Sequence, residues 1–246
     1  MFSRVLRLTV VPLLVVASSA DASVLIHEIH YHPVEKAAFA DDGSPVLDLT
    51  DDVHEFVELH NNGQDPVSLE GWTLSGGVHY TFPSGSQIPA GGFQVIAGSP
   101  ERIVTVYALP PGSVLGPWTG LLGNRREQLE LRNRAGGVAD AVEYRDESPW
   151  AIAADALGAD DDWTGLRSLD HQYRGRSLER VSVTHPSNDP ANWLASPLSS
   201  GPSPGRPNAV TLDVPRPVVL AHDVRHVDDG ASMIRSGRPV RVEAVF

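Results

Sequence analysis

No amphipathic helical pattern longer than about ten residues occurs after residue 22. Short apolar or alternating runs recur instead, and each is cut by turn-forming residues. The runs are 23–31, 54–60, 67–74, 78–82, 93–97, 128–131, 138–144 and 177–181. Between them lie Asn61-Asn62-Gly63, Gly76-Gly77, Pro83-Ser84-Gly85, Pro89-Ala90-Gly91-Gly92 and Ala135-Gly136-Gly137. Gly and Asn supply the positive φ that tight turns require. Many short strands at this spacing imply an all-β antiparallel sandwich or barrel. Two short helical turns are expected, at Ser99-Pro100-Glu101 and at Asp189-Pro190-Ala191, where a cap residue precedes Pro.

Composition narrows the chemistry. The chain has 246 residues and no Cys, which excludes disulfides, Cys-ligated zinc, iron–sulfur clusters, a thiol nucleophile and a Cys-linked lipid anchor. The net charge is −12, and only one of the 19 basic residues is Lys (Lys36). That balance disfavours nucleic acid and anionic lipid as partners.

Residues 1–22 read as a secretory signal peptide, with Arg4 and Arg7 before an apolar run from Leu8 to Val16. Ala20-Asp21-Ala22 forms the small-x-small cleavage pattern. The apolar run is too short to span a membrane, so no stable insertion is expected. The location this implies is secreted, at the cell surface, or periplasmic. Residues 197–212 (197-PLSSGPSPGRPNAVTL-212) carry the composition of a Pro/Gly/Ser linker. Residues 213–246 hold further strand-like runs and read as the incomplete start of a second β-sandwich-like module, with more domains expected beyond it.

The order of motifs resembles the lamin tail domain family in its secreted bacterial form. The fragments are VLIHEIHYHP (24–33), HEFVELHN (54–61), PVSLEGWTLS (66–75) and YTFPSGSQIPAGGFQVIAG (80–98). LGPWTGLLGN (115–124), EQLELRNRAGGVADAVEY (127–144), SLERV (177–181) and NDPANWLAS (188–196) complete the series. The resemblance implies an immunoglobulin-like β-sandwich over 23–196. It also implies a non-catalytic module for binding, adhesion, anchoring or spacing, with a protein or polysaccharide as partner. The alternative is an N-terminal targeting domain of an extracellular enzyme, such as a CotH-type kinase-like domain, nuclease or phosphoesterase beyond residue 246. No catalytic residue is carried over. Many bacterial relatives have Asn where this chain has His27.

Three candidate sites stand out. On a strand, Glu28, His30 and His32 share one face, and such a His-x-His pair can chelate zinc or copper, with His54 or His60 on a neighbouring strand as a further ligand. The structural alternative is a strand whose polar groups are hydrogen-bonded to neighbours. A self-contained metalloenzyme would use His27, His30, His32, His54 and His60. Asp41, Asp42, Asp48, Asp51, Asp52 and Asp160–Asp162 could attract calcium, although no calcium-loop spacing is present. Trp163 is the candidate for a ligand-stacking surface, while Trp72, Trp118, Trp150 and Trp193 are expected to pack inside. Gly201-Pro202-Ser203-Pro204-Gly205 matches the nucleophile-elbow pattern but sits in a proline-rich segment, which argues against catalysis.

Overall fold

The computed structural model describes residues 24–33, 37–39, 45–47, 53–155, 175–197, 199–212, 221–226 and 240–245. The strands are β1 (Val24–His30), β2 (Ala37–Phe39), β3 (Pro45–Leu47), β4 (Phe56–Asn61), β5 (Val67–Ser68) and β6 (Thr73–Ser75). They continue with β7 (Val78–Thr81), β8 (Gln87–Ile88), β9 (Phe93–Ala97), β10 (Val114–Leu115), β11 (Thr119–Gly120) and β12 (Arg126–Arg132). The last are β13 (Val138–Arg145), β14 (Leu178–Arg180), β15 (Trp193–Ala195), β16 (Ala221–His226) and β17 (Val240–Val245). Among the described residues one α-helix, α1 (Pro100–Tyr107), forms after β9. Both expected helical turns form, the second as a 3-10 turn at Pro190–Asn192 whose Asp189 side chain accepts from Ala191 N.

Two sheets face each other. The first runs β10-β9-β4-β1-β14-β15 and the second β11-β7-β6-β12-β13. Pairing is antiparallel except between β10 and β9, which are parallel. The core between the sheets joins Val24, Ile26, Ile29, Val57, Leu59, Ile96 and Leu178 to Leu74, Val78, Leu129, Leu131 and Val142. Tyr31 stacks on Tyr144 with ring centroids 4.6 Å apart, bridging the two layers. Trp118, Trp150 and Trp193 are buried in this core and Trp72 is half-buried against it. The expected sandwich is therefore observed, and four of the five tryptophans are structural.

The turn chemistry is the one the sequence announces. Gly71 holds φ of +73° just before Trp72, a conformation that a side chain would strain. Buried Asn61 closes the Asn-Gly turn by accepting from Gly63 N at 3.0 Å. Its amide donates to Ile88 O and Pro89 O, at 3.2 and 3.0 Å.

A third layer covers the outer face of the six-stranded sheet. Helix α1 contributes Ile103, with Val104 and Tyr107 half-buried, against Phe56, Val95, Ala97 and Val114. Beside the helix lies the segment 201–212, in which Ser203 and Asn208 are buried. Residues 201–212 are thus not the free linker that their composition suggests. Their backbone N–H groups meet acceptors on the sheet, as described below, so this part of the chain is packed onto the sandwich. Strands β16 and β17 pair with each other antiparallel, from Ala221 opposite Val245 to His226 opposite Val240. No helix among the described residues is long and apolar enough to cross a membrane.

Candidate functional site

The site begins with an irregularity in β1. The register against β4 shifts between Ile26 and Glu28, the mark of a β-bulge. Val24 and Ile26 face the core before the bulge, and Ile29 and Tyr31 face it afterwards. The core-facing set therefore changes from even to odd numbers, and Glu28 and His30 are turned to the outer face.

Three glutamates then form a row across adjacent strands. Glu28 on β1 pairs with Glu58 on β4 on one side and with Glu179 on β14 on the other. Each has 0% exposure. Adjacent strands lie about 4.8 Å apart, so like charges here would repel strongly. Burial, and then the neighbouring Glu179, push Glu28 up to about 8, against opposing hydrogen bonds from Ser177 and Ser203. Burial and Glu28 hold Glu58 well above the usual carboxylate range. Burial also raises Glu179.

The docked segment hydrogen-bonds each carboxylate of this row, leaving Glu58 Oε1 without a partner. Ser203 N donates to Glu28 Oε1 at 2.9 Å, and Ser203 Oγ donates to Glu179 Oε1 at 2.8 Å. Gly205 N donates to Glu58 Oε2, and Val210 N to Glu179 Oε2 at 3.2 Å. Ser177 Oγ also donates to Glu28 Oε1. The Asn208 amide donates to His27 O and Arg180 O, at 2.8 and 3.0 Å, which ties the segment to two strand backbones. The Gly201–Gly205 motif accordingly places Ser203 in a hydrogen-bonded clip, and no strand-to-helix elbow surrounds it.

Imidazoles flank the row. His27 lies against His60 and Phe93, with centroids 5.0 and 5.2 Å away, and His60 stacks on Phe93 at 4.5 Å. His30 lies 5.4 Å from the Phe56 ring. Neither ring nitrogen of His27 or His30 has a hydrogen-bond partner. Burial, with help from His60 and Arg180, lowers His27 to about 3. Burial, with His54 and His32, lowers His30 to about 3. Burial likewise lowers His60. These rings are neutral, apolar-packed members of the outer face.

The candidate metal ligands disperse into separate contacts. His32 Nδ1 hydrogen-bonds Asp155 Oδ1. His54 Nε2 accepts from Arg102 Nε of α1 at 3.0 Å. Glu28 is committed to Ser177 and Ser203. Among the described residues, no group of three or more His, Asp or Glu side chains could hold a metal ion. The shared face of Glu28 and His30 is real, but the convergence a metal requires is not formed by Glu28, His30, His32 and His54. Trp163, Asp160–Asp162, and Asp41, Asp42, Asp48, Asp51 and Asp52 lie outside the described residues.

Sequence reasoning missed Glu58, Glu179, Ser203 and Asn208. A signal for the bulge was present: the alternation in β1 breaks at the consecutive polar pair His27-Glu28. A second signal was a glutamate set between apolar residues in the middle of a strand run, Val57-Glu58-Leu59.

A model of the Lamin Tail Domain family matches residues 17–146. This chain belongs to the lamin tail domain family. The lamin tail domain is a non-catalytic immunoglobulin-like fold, in keeping with the two-sheet sandwich. The lamin-tail match ends before β14, so Glu179 and the segment over it lie beyond the matched residues. None of the curated proteins matches this chain. Among solved structures, a DUF4876 family protein from Bacteroides thetaiotaomicron VPI-5482 is similar at 11% identity and a TM-score of 0.38. That alignment covers 88% of this chain and 75% of the other. A likeness at that level carries no argument about function.

Proposed function

We propose that this lamin-tail chain is an exported, non-catalytic module that binds, anchors or spaces at the cell surface within a larger multidomain protein. The observation that carries the reading is the fate of the buried carboxylate row among the described residues. The Glu58, Glu28 and Glu179 carboxylates are sealed beneath the chain's own Ser203, Gly205 and Val210 rather than presented to a substrate. The signal-like 1–22 segment supports export, and the β16–β17 pair supports a further β unit after the sandwich. The partner this reading favours is a surface protein or polysaccharide, since the acidic chain disfavours nucleic acid.

Fractionation of cells expressing the chain with and without residues 1–22 tests the export half. The intact chain should be recovered outside the cytoplasm, processed after Ala22, and the truncated chain should stay inside. Unprocessed full-length protein in the cytoplasm would refute export. Binding of the purified chain to isolated cell envelopes tests the second half. Retention that saturates and is competed by unlabelled chain is expected; nuclease or phosphoesterase turnover by the purified chain would overturn the non-catalytic reading.

A further inference from the structure

We propose that residues 201–212 are a pH-released clasp: the strap docks on the Glu58–Glu28–Glu179 row in acidic and neutral medium and lifts off in alkaline medium, becoming a free tether. Three observations carry it. The row is in register across three adjacent strands, and each carboxylate is touched by a strap N–H. The strap's remaining anchor is Asn208 on the His27 and Arg180 carbonyls, with Leu212 N on Val181 O at 2.9 Å. On its other side the strap buries Pro202 and Pro204 but borders an open pocket. Pro202, Pro204 and Arg206 wall a cavity of about 400 Å³ against Val106, Tyr107 and Leu109 at the end of α1.

The charged and titratable surroundings set the sign. From β1 come Glu28 and His27, from β4 Glu58 and His60, and from β14 Glu179 and Arg180. Arg176 precedes β14, and the strap itself brings Arg206. Arg206 and the strap's own donors on Ser203, Gly205 and Val210 favour the ionised carboxylates, yet burial outweighs them at all three glutamates, Arg206 is exposed, and Glu58 Oε1 has no hydrogen-bond partner. Ionising the docked row therefore confines repelling charges in a dry site that lifting the strap would hydrate. Lifting the strap removes part of the burial that raises Glu28, so the closed state is favoured at low pH and loses ground as pH rises through the docked value of about 8. Once released, twelve residues of Pro/Gly/Ser-rich chain span up to about 40 Å. The linker composition of this stretch then describes its open state. The device belongs to this chain by itself and does not depend on where the protein resides or what it binds.

Amide hydrogen exchange on the full chain tests it, after correction for the intrinsic base-catalysed rate. Protection of the Ser203, Gly205 and Val210 amides should fall at least about tenfold between pH 6 and pH 9. The amides of β4 and β9 should keep theirs. Glu28→Gln should reduce that fall severalfold. Gly205 sits at φ of +80°, so Gly205→Ala should open the strap at pH 6 as well, by about five- to thirtyfold, with β4 and β9 still protected. Strap protection that does not change with pH overturns the clasp, as does loss only in step with β4 and β9. A Glu28→Gln chain that folds and keeps the full pH dependence overturns it too, and so does a Gly205→Ala strap that stays closed at pH 6. If Glu28→Gln does not fold, the pH dependence of strap protection in the unmodified chain decides the matter.

Discussion

The two faces of the six-stranded sheet are held by different physics. The inner face presents Ile26, Ile29, Val57, Leu59, Ile96 and Leu178 to a second sheet, and its stability comes from area removed from water. The outer face of the same strands presents Glu58, Glu28 and Glu179 between His27, His60 and His30, all of them buried except the half-buried His60. Its stability depends on which groups hold protons. One face should therefore be indifferent to pH, and the other should set the pH limits of the whole fold.

The largest effect should come from the inner face. Trp193 is buried, lies 5.5 Å from the Arg180 guanidinium carbon and donates from Nε1 to Ser187 O at 2.7 Å. Trp193→Ala should lower unfolding free energy by about 3–5 kcal/mol in denaturant titrations. The loss should be the same at pH 5 and pH 7, and a pH-dependent loss would break the division between faces.

The next effect belongs to the carboxylate row. A folded value raised to about 8 means that Glu28 stabilises fully below 4.5 and progressively less as pH rises. Gln keeps the shape of a protonated Glu and cannot ionise. Glu28→Gln should stabilise the protein by roughly 3 kcal/mol at pH 7, where the strap is still docked, and change little at pH 4. Equal effects at both pH values would show that ionisation is not what matters there.

The imidazoles have the opposite sign. His27 and His30 are lowered to about 3, so their contribution is complete above 6.5 and lost as pH falls from there. The two slopes oppose each other between 4.5 and 6.5. A profile of Tm against pH should accordingly form a plateau in that window and decline on both sides. His30→Phe should relieve the acid limb by about 2–3 kcal/mol at pH 4.5, because both ring nitrogens lack partners and the ring already packs on Phe56. An unchanged acid limb would remove His30 from the account.

The smallest effect is the control. Arg134 Nη1 meets Glu70 Oε1 at 3.3 Å on the exposed surface of the other sheet's loops. Arg134→Ala should change stability by less than about 1 kcal/mol, and high salt should abolish the difference.

Much of the fold was legible because strand period and turn chemistry are local. Gly71, Asn61-Asn62-Gly63 and the Ser99-Pro100 helix start act within a few residues of themselves. Even here a detail differed: Ser99 starts α1 through its carbonyl, which accepts from Arg102 N and Ile103 N, with no side-chain cap. The site was less legible because its members are joined only by pairing. Glu28 meets Ser177 and Ser203 from 149 and 175 positions away. The His-rich first strand suggested a metal because residue type and face were visible, whereas convergence of ligands is a tertiary property. The 201–212 segment misled for a related reason. Proline and glycine content reports how stiff a chain is when free and says nothing of whether its N–H groups find acceptors.

The bulge in β1 has a consequence for how the strand can change length. It acts as a phase shifter: one added residue lets Val24 and Ile26 and then Ile29 and Tyr31 occupy the same face. Deleting a single residue such as His27 would restore strict alternation. Val24, Ile26, Ile29 and Tyr31 would stay on the inner face and Glu28 and His30 on the outer one, because Ile26 and Glu28 already sit opposite the successive residues Leu59 and Glu58 of β4. Length variation in this strand should therefore be position-dependent: loss of His27 keeps the two faces as they are, whereas loss of Leu25 would turn Val24 outward.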